Sequence, residues 1–201
     1  AGEQDGDGSP DFLDPDADGD GIPDFAIGAP GAQGGKGAVA VFFGGSESWP
    51  ETYSLDASDL LFVGVDGDAV GEVLSSGDYN NDNIADLAIG TPESGSGAGA
   101  VRIVFGGESW RSSPRVQSLI LMTQITASTE GASAGAALAT GDFDGDGIDD
   151  LAIGSPGQSE RGAVSLAFGA FDASTAWNGE TTDTLDALSV GSLYPRAGAP
   201  L

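Results

Sequence analysis

Short apolar runs bounded by glycine recur along the chain and predict β-strands. Residues 37–45 (GAVAVFFGG), 99–107 (GAVRIVFGG) and 162–169 (GAVSLAFG) mix small residues with β-branched and aromatic ones. Such runs are typical of short strands with at least one buried face. Because glycine and β-branched residues interrupt every candidate helix, helices are expected to be minor.

Other apolar segments complete the strand pattern around these runs. A segment ending in Gly-x-Pro precedes each run, as AIGAP, AIGTP or AIGSP. A further candidate strand follows each run, at residues 52–65, 116–126 and, more weakly, 184–193. The small-residue segments 71–76 (GEVLSS) and 135–140 (GAALAT) predict one more strand before the next acidic loop.

The whole pattern is periodic. Residues 16–30 (DADGDGIPDFAIGAP), 78–92 (DYNNDNIADLAIGTP) and 142–156 (DFDGDGIDDLAIGSP) are copies that start 62 and 64 residues apart. About four short strands per period indicate a propeller blade. We therefore expect an all-β fold of β-propeller-type blades, each with about four antiparallel strands; an antiparallel sandwich is the alternative, which the period disfavours. The single array, residues 1–201, divides into 1–14, 15–77, 78–141 and 142–201.

Each copy begins with an acidic loop that carries side-chain oxygens at positions one, three, five and nine. Position seven is isoleucine, whose backbone carbonyl can bind a cation although its side chain cannot. Such a set suits a hard cation with six or more oxygen ligands, and calcium is the expected ion. The predicted ligands are Asp16, Asp18, Asp20, Ile22 and Asp24; Asp78, Asn80, Asp82, Ile84 and Asp86; and Asp142, Asp144, Asp146, Ile148 and Asp150.

An EF-hand is the obvious competing interpretation of these loops. It requires a bidentate glutamate at position twelve and flanking helices. Position twelve is instead Ile27, Ile89 or Ile153, within an apolar run. The aspartate at position nine is therefore expected to close each site, and Asp149, left over in the third loop, is expected to face solvent.

A fourth acidic loop is a candidate at the N-terminus, within residues 1–14. Oxygen-bearing side chains stand at positions one, three, five, seven, nine and twelve of this loop. A solvated acidic tail explains the same residues equally well, because termini are commonly poorly ordered. The candidate ligands are Glu3, Asp5, Asp7, Ser9, Asp11 and Asp14.

The charge balance restricts the partners. The chain has 32 acidic and 6 basic residues, a formal net charge of -26, so nucleic acid and anionic membranes are not expected to bind. No apolar run approaches membrane-spanning length, so no membrane insertion is expected. Cysteine is absent, which excludes a disulfide framework and thiolate metal ligands.

Catalysis is not expected either. The chain has no histidine, no cysteine and one lysine, Lys36, which leaves few groups for acid-base or nucleophilic chemistry. Asp149 and Asp150 could form a glycosidase pair, but adjacent strand residues point to opposite faces. The five arginines are too sparse for an anion site and are expected to offset neighbouring acids. The recurring Trp49, Trp110 and Trp177 favour packing anchors over a glycan-binding platform.

The acidic loop, the following IGAP, IGTP or IGSP and the GAVxVFFG-type strand together resemble the FG-GAP repeats of integrin α-subunit propellers. Residues 62–64 (FVG) resemble the FG half of that motif, and residues 14–24 also resemble thrombospondin type 3 repeats. The resemblance implies calcium held in a loop between strands of a blade, in a secreted or cell-surface protein concerned with adhesion. The second loop, with Asn80, Asn81 and Asn83, departs from the most acidic form, which implies a lower calcium affinity.

The two ends of the chain resemble successive parts of the repeat. Residues 197–201 (AGAPL) resemble residues 134–138 (AGAAL), which precede the third loop, and residues 1–11 (AGEQDGDGSPD) resemble such a loop. Three explanations fit: a fragment of a longer protein, a ring closed between chains, or a head-to-tail filament. A self-contained domain of three units is the alternative. We expect a calcium-binding extracellular structural or adhesive protein that binds copies of itself. The alternative is an adhesion module for a protein or glycan ligand, within a larger protein that could itself be an enzyme.

Overall fold

The computed structural model describes residues 16–45, 54–65, 67–113, 115–119, 123–169 and 183–185. Over these residues the chain is all-β, as predicted, and its strands form sheets of three to five strands. Among the described residues, helical structure consists of single turns at Ala32–Gly35 and Ser94–Gly97, 3-10 turns at Leu55–Ala57 and Glu108–Ser112, and a 3-10 conformation at Leu119. The strands are β1 (Phe25–Ala29), β2 (Ala38–Phe42), β3 (Leu60–Val63), β4 (Val73–Gly77), β5 (Asp86–Thr91), β6 (Ala100–Val104), β7 (Val116–Ser118), β8 (Thr123–Ala127), β9 (Ala137–Gly141), β10 (Asp150–Ser155), β11 (Ala163–Ala167) and β12 (Asp183–Leu185).

These strands form three sheets. The first has the order β1-β2-β3-β7, the second β4-β5-β6-β8-β12 and the third β9-β10-β11. Chain neighbours within a sheet pair antiparallel, whereas β7 adds to β3 and β12 adds to β8 in parallel. The sheets do not coincide with the predicted sequence units 15–77, 78–141 and 142–201, whose boundaries lie at the loops. For example, β4 lies before residue 78 but pairs with β5, which lies after it. The second and third acidic loops are therefore the connections within a sheet, between β4 and β5 and between β9 and β10.

Two predicted strands have different bounds in the structure. The described part of the 52–65 prediction is a strand only at β3. Before it, Ser58 Oγ donates to the Leu55 carbonyl (2.8 Å), a local bond that competes with a ladder, and the Asp59 carboxylate accepts from the Phe43 N–H just after β2 (2.8 Å). The 116–126 prediction was wrong as a single strand. It divides into β7, which joins the first sheet, and β8, which joins the second.

Apolar clusters between sheets hold the array together. Val39, Phe62 and Leu60 of the first sheet pack with Ile89 of the second sheet and with Trp110 in the 3-10 turn after β6. A second cluster joins side chains of the second and third sheets, including residues 101, 103, 151 and 153. Burial of these faces is the main stabilising contribution available to such short strands.

Trp110 is a packing anchor, as predicted. Its side chain is buried, its ring meets that of Phe62 edge-on at a centroid distance of 5.7 Å, and its Nε1 donates to the Phe105 carbonyl (2.7 Å). An indole held this way has no face available for a sugar. Trp49 and Trp177 lie outside the described residues.

The glycine of the Ile-Gly motif lets neighbouring sheets approach at the backbone. A Cβ on Gly28 would lie 1.8 Å from the Gly71 carbonyl oxygen, and one on Gly90 would lie 2.2 Å from that of Gly135. No side chain fits in such a gap, so glycine is required there. The motif therefore marks the strand on which the next sheet packs.

Candidate metal centres

The three acidic loops share a pattern of internal hydrogen bonds to the carboxylate of the first aspartate. We call residues 16–24 loop 1, residues 78–86 loop 2 and residues 142–150 loop 3. In loop 1, Asp16 Oδ1 accepts from the N–H groups of Gly19 (2.8 Å) and Asp20 (3.2 Å), and its Oδ2 accepts from Gly21 (2.7 Å). Asp142 repeats these contacts with residues 145, 146 and 147. The first aspartate thus folds the loop around its own carboxylate.

Residues in the left-handed backbone conformation, with positive φ, allow the loop to curl in this way. Positions four and six have positive φ in all three loops. They are glycine in loops 1 and 3, where this conformation carries no steric cost, and asparagine in loop 2, which tolerates it better than most residues. The residues and φ values are Gly19 (78°), Gly21 (82°), Asn81 (58°), Asn83 (64°), Gly145 (80°) and Gly147 (88°).

The aspartate at position nine ties each loop to the end of a neighbouring strand. Asp24 Oδ2 accepts from the Ala17 N–H (3.0 Å) and its Oδ1 from the Gly44 N–H (2.7 Å). Asp86 binds the N–H groups of residues 79 and 106 in the same way, and Asp150 those of residues 143 and 169. All three aspartates are buried. Each oxygen retains a lone pair, so these contacts are compatible with a cation as well.

The carboxylates converge closely enough to share an ion. One oxygen each from Asp16, Asp18 and Asp24 lie within 4.8 Å of one another, and the same holds for Asp142, Asp144 and Asp146. These hard oxygen donors fit calcium. The two clusters differ in composition, since position nine joins the first and position five joins the second. The predicted ligand sets, including the carbonyls of Ile22, Ile84 and Ile148, stay predictions.

Loop 2 is built with a weaker donor set. Position three is Asn80, whose Oδ1 accepts from the Asp82 N–H (3.0 Å) and whose Nδ2 donates to Asp82 Oδ2 (3.0 Å). The Asn80 amide therefore donates a hydrogen bond to an Asp82 oxygen that a carboxylate at position three would repel. Loop 2 needs a cation less than the loops with four aspartates do.

Burial raises the pKa of the carboxyls that close the loops. The pKa of Asp24 rises to about 6 and that of Asp86 to about 8, mainly through desolvation, which outweighs the two backbone hydrogen bonds that each accepts. Neighbouring acids of the same loop add to both shifts. Burial likewise raises the pKa of Asp18, Asp78 and Asp150. A bound divalent cation would counteract these shifts because it favours the charged form.

Loops 1 and 2 also contact the next sheet. The Ala85 N–H donates to the Asp16 carbonyl (2.9 Å), and the Gly107 N–H donates to the Ala17 carbonyl (2.8 Å). Loop 2 repeats the first contact, because the Asp149 N–H donates to the Asp78 carbonyl (3.2 Å). Fixing a loop therefore also fixes part of the interface between two sheets.

Asp149 does not face solvent, and that prediction was wrong. It is half-buried between loops 2 and 3, where its Oδ2 accepts from the Asp78 N–H (3.0 Å). Burial raises its pKa. The equivalent positions in the other copies are Pro23 and Ala85, so the periodic sequence contained no signal for this role.

The arginines offset acids in two described cases, as predicted. Arg102 is buried and its Nη2 lies 3.1 Å from Asp68 Oδ2. Arg111 reaches loop 1, where its Nε lies 2.6 Å from Asp18 Oδ2 and its Nη2 donates to Asp20 Oδ2. Sequence reasoning missed the second contact as part of the site.

Two further sequence predictions bear on the site. The candidate ligands of the N-terminal loop, Glu3, Asp5, Asp7, Ser9, Asp11 and Asp14, lie outside the described residues. Within the part of the chain that the structure describes, none of the helical segments has the length and apolar character needed to cross a membrane.

Comparison with known proteins identifies relatives of these repeats. A sequence model of the FG-GAP repeat matches residues 15–42, 70–104 and 134–166. Phosphatidylinositol-glycan-specific phospholipase D of Rattus norvegicus is 35% identical over 49% of this chain and 12% of its own length. Integrin alpha-PS2 of Drosophila melanogaster is 36% identical over 53% of this chain and 7% of its own length. The chain thus corresponds to a small part of each relative.

Proposed function

Because the chain belongs to the FG-GAP repeat family, we propose that it is a calcium-stabilised adhesive or structural module of an extracellular or cell-surface protein. The observation that carries the proposal is the convergence of carboxylate oxygens within 4.8 Å in loops 1 and 3. The net charge of -26 supports a cationic partner. The similarity to integrin alpha-PS2 supports an adhesive role.

The ion would be held by the aspartates at positions one, three, five and nine, with the isoleucine carbonyl at position seven. Calcium supplies positive charge that removes the repulsion between these carboxylates. The chain's own residues position the ligands: the first aspartate curls the loop, and the ninth attaches it to a strand end. The result is a stabilised contact between adjacent sheets, which is a binding and structural role without catalysis.

We also infer that copies of the chain associate end to end, as a filament or a ring. At the first end, Ile27 on β1 is 44% exposed, although the equivalent Ile89 and Ile153 are 0% exposed. At the other end, Val164 on β11 is 62% exposed, although the equivalent Val39 and Val101 are 0% exposed. A neighbouring sheet covers the equivalent faces elsewhere in the molecule. The exposed faces of Ile27 and Val164 therefore suit a sheet of another copy of the chain.

A ligand-binding adhesion module within a larger FG-GAP protein is the second candidate. Its support is the match to an enzyme, the rat phospholipase D, over 12% of that protein's length. In that case a preceding or following repeat covers these ends, and a protein or glycan binds elsewhere.

Light scattering of the 201-residue chain in calcium and in chelator separates the two candidates. End-to-end association predicts a calcium-dependent increase in mass, and it predicts that Val164→Asp, which places a charge on the exposed face, abolishes the increase. A monomer of constant mass in both conditions would contradict self-association and favour the second candidate. Calcium binding itself is measured on the same samples by calorimetry.

A further inference from the structure

Loop 1 holds a cation that belongs to the protein itself. The guanidinium of Arg111 comes from the second repeat and lies across the ligand carboxylates of the first. Its Nε is 2.6 Å from Asp18 Oδ2, and its Nη2 donates to Asp20 Oδ2. Its central carbon also lies 5.4 Å from the centre of the Phe43 ring, within cation-π range.

The protein fixes this guanidinium in position. Arg111 lies in the 3-10 turn Glu108–Ser112, and the preceding Trp110 anchors that turn through its buried ring and the Nε1 hydrogen bond to the Phe105 carbonyl. On the other side, the Asp18 side chain has 0% exposure, so its Oδ2 cannot rotate into water. The Arg111 side chain remains 46% exposed, which leaves it a route away from the loop.

The contacted oxygens belong to residues that a metal ion would require. Asp18 belongs to the group of converging carboxylates, and Asp20 stands at position five of the predicted ligand set. A carboxylate oxygen that faces a guanidinium at hydrogen-bond distance must move or exchange partners before it binds calcium. The two cations therefore compete for the same charge.

We propose that Arg111 is a tethered competitor for calcium in loop 1, so that the ion binds there by displacing the guanidinium. The inference rests on the calcium sites proposed above. Because binding is reciprocal, calcium in loop 1 releases Arg111 from the first repeat, and the contact between the first two repeats changes with calcium concentration. Loop 1 is in this way a calcium-responsive junction.

A purely structural role for Arg111 makes a different prediction. If the guanidinium only ties the two repeats together, its removal lowers stability and leaves the calcium affinity of loop 1 unchanged or reduced. If it competes, its removal raises the affinity of loop 1 alone. The sign of the affinity change in one loop therefore separates the two roles.

Backbone amide NMR of the full chain in a chelator-buffered calcium series can measure each loop separately, with Val164→Asp in every sample to keep the chain monomeric. Gly21 and Gly147 are matched reporters, because both stand at position six and donate to the first aspartate of loops 1 and 3. In Arg111→Gln, the calcium concentration at the midpoint of the Gly21 chemical-shift change is expected to fall roughly three- to tenfold. This is the effect expected from the loss of two partly exposed ion pairs. The Gly147 midpoint is expected to stay constant.

Two variants control the interpretation. Arg115→Gln removes the same charge from the same segment, but Arg115 donates to the Ser58 carbonyl (3.0 Å) rather than to loop 1, so the Gly21 midpoint should not move. Arg111→Lys keeps the charge without the planar fork and should give an intermediate midpoint. The wild-type Arg111 Nε signal should also move as Gly21 titrates.

An unchanged or raised Gly21 midpoint in Arg111→Gln, with Gly147 still titrating, would overturn the competition and leave the calcium sites intact. If neither Gly21 nor Gly147 responded to calcium, the proposed function and this inference would both be wrong.

Discussion

The strands that follow loop 1 and loop 2 share the sequence Ala-Ile-Gly but have different surroundings. β5 is paired on both sides, by β4 and β6, whereas β1 is paired only with β2 among the described residues. Ile89 on β5 is fully buried between the first and second sheets, whereas the equivalent Ile27 on β1 is 44% exposed. The local sequence therefore determines the strand, and the neighbouring sheet determines how much that strand contributes to stability.

The same difference extends to the carboxylates that close the two loops. Asp24 and Asp86 each accept two backbone N–H groups, yet the pKa of Asp86 rises to about 8 and that of Asp24 to about 6. Deeper burial in the second sheet is the main cause. The carboxylate at position nine is therefore more strongly desolvated in a repeat with neighbours on both sides.

The largest expected difference is between two isoleucine truncations. Ile89→Ala should lower the free energy of unfolding by about 3 kcal/mol or more, because it leaves a cavity between two packed sheets. Ile27→Ala should cost less than about 1 kcal/mol, since its side chain is already partly hydrated. Urea unfolding in chelator, where the chain is expected to be a monomer, measures both, and equal costs would show that β1 is covered as fully as β5.

The pH dependence without metal should differ between the two loops. A carboxyl with a pKa above the unfolded value of 3.8 binds its proton more tightly in the folded state, so unfolding becomes easier as pH rises through this window. The loss should be complete by about pH 6 for Asp24 and continue to about pH 8 for Asp86. In chelator, Asp86→Asn should abolish the loss of stability that otherwise continues up to about pH 8.

Asp24→Asn is the matched control for that change, and it should flatten the profile only below about pH 6. With saturating calcium the sign reverses, because the ion requires deprotonated ligands and stabilises the fold as pH rises. Identical profiles for the two variants in chelator would contradict the difference in burial between the loops.

A smaller effect is expected from the contact between loops 2 and 3. Asp149→Ala removes the acceptor for the Asp78 N–H and should lower the free energy of unfolding by about 1 kcal/mol. Asp149→Asn retains an acceptor oxygen and should cost less. Thermal unfolding measures both, and equal losses would show that the charge of Asp149 matters more than its hydrogen bond.

Features that repeat in the sequence were predictable from it. The period located the three loops, the Ile-Gly strands and the GAV strands, because local hydrogen bonding and alternation determine these elements. The residues of the loops that converge in the structure, such as Asp16, Asp18 and Asp24, were named from spacing alone.

Features that occur once, or that depend on another repeat, were not predictable. Arg111 follows Trp110, but the corresponding residues after Trp49 and Trp177 are Pro50 and Asn178, so periodicity gave no indication of its contact with loop 1. The separation of β7 from β8 into two sheets is likewise a long-range pairing that alternation cannot reveal. Burial, which distinguishes Ile27 from Ile89, depends on the neighbouring sheet.

The most direct test of the account is the thermal unfolding of wild type and Asp146→Asn in calcium and in chelator. Asp146 is exposed, and asparagine can still accept the Ile148 N–H hydrogen bond that Asp146 Oδ1 accepts (3.0 Å), so the change removes chiefly a charged ligand. At calcium concentrations about 100-fold above Kd, one site contributes about 2.7 kcal/mol. A structural calcium site in loop 3 requires a Tm several degrees lower for Asp146→Asn in calcium, and in chelator a Tm equal to or above that of wild type, because the variant removes one repelling charge. Equal Tm values for the two proteins in calcium would contradict it.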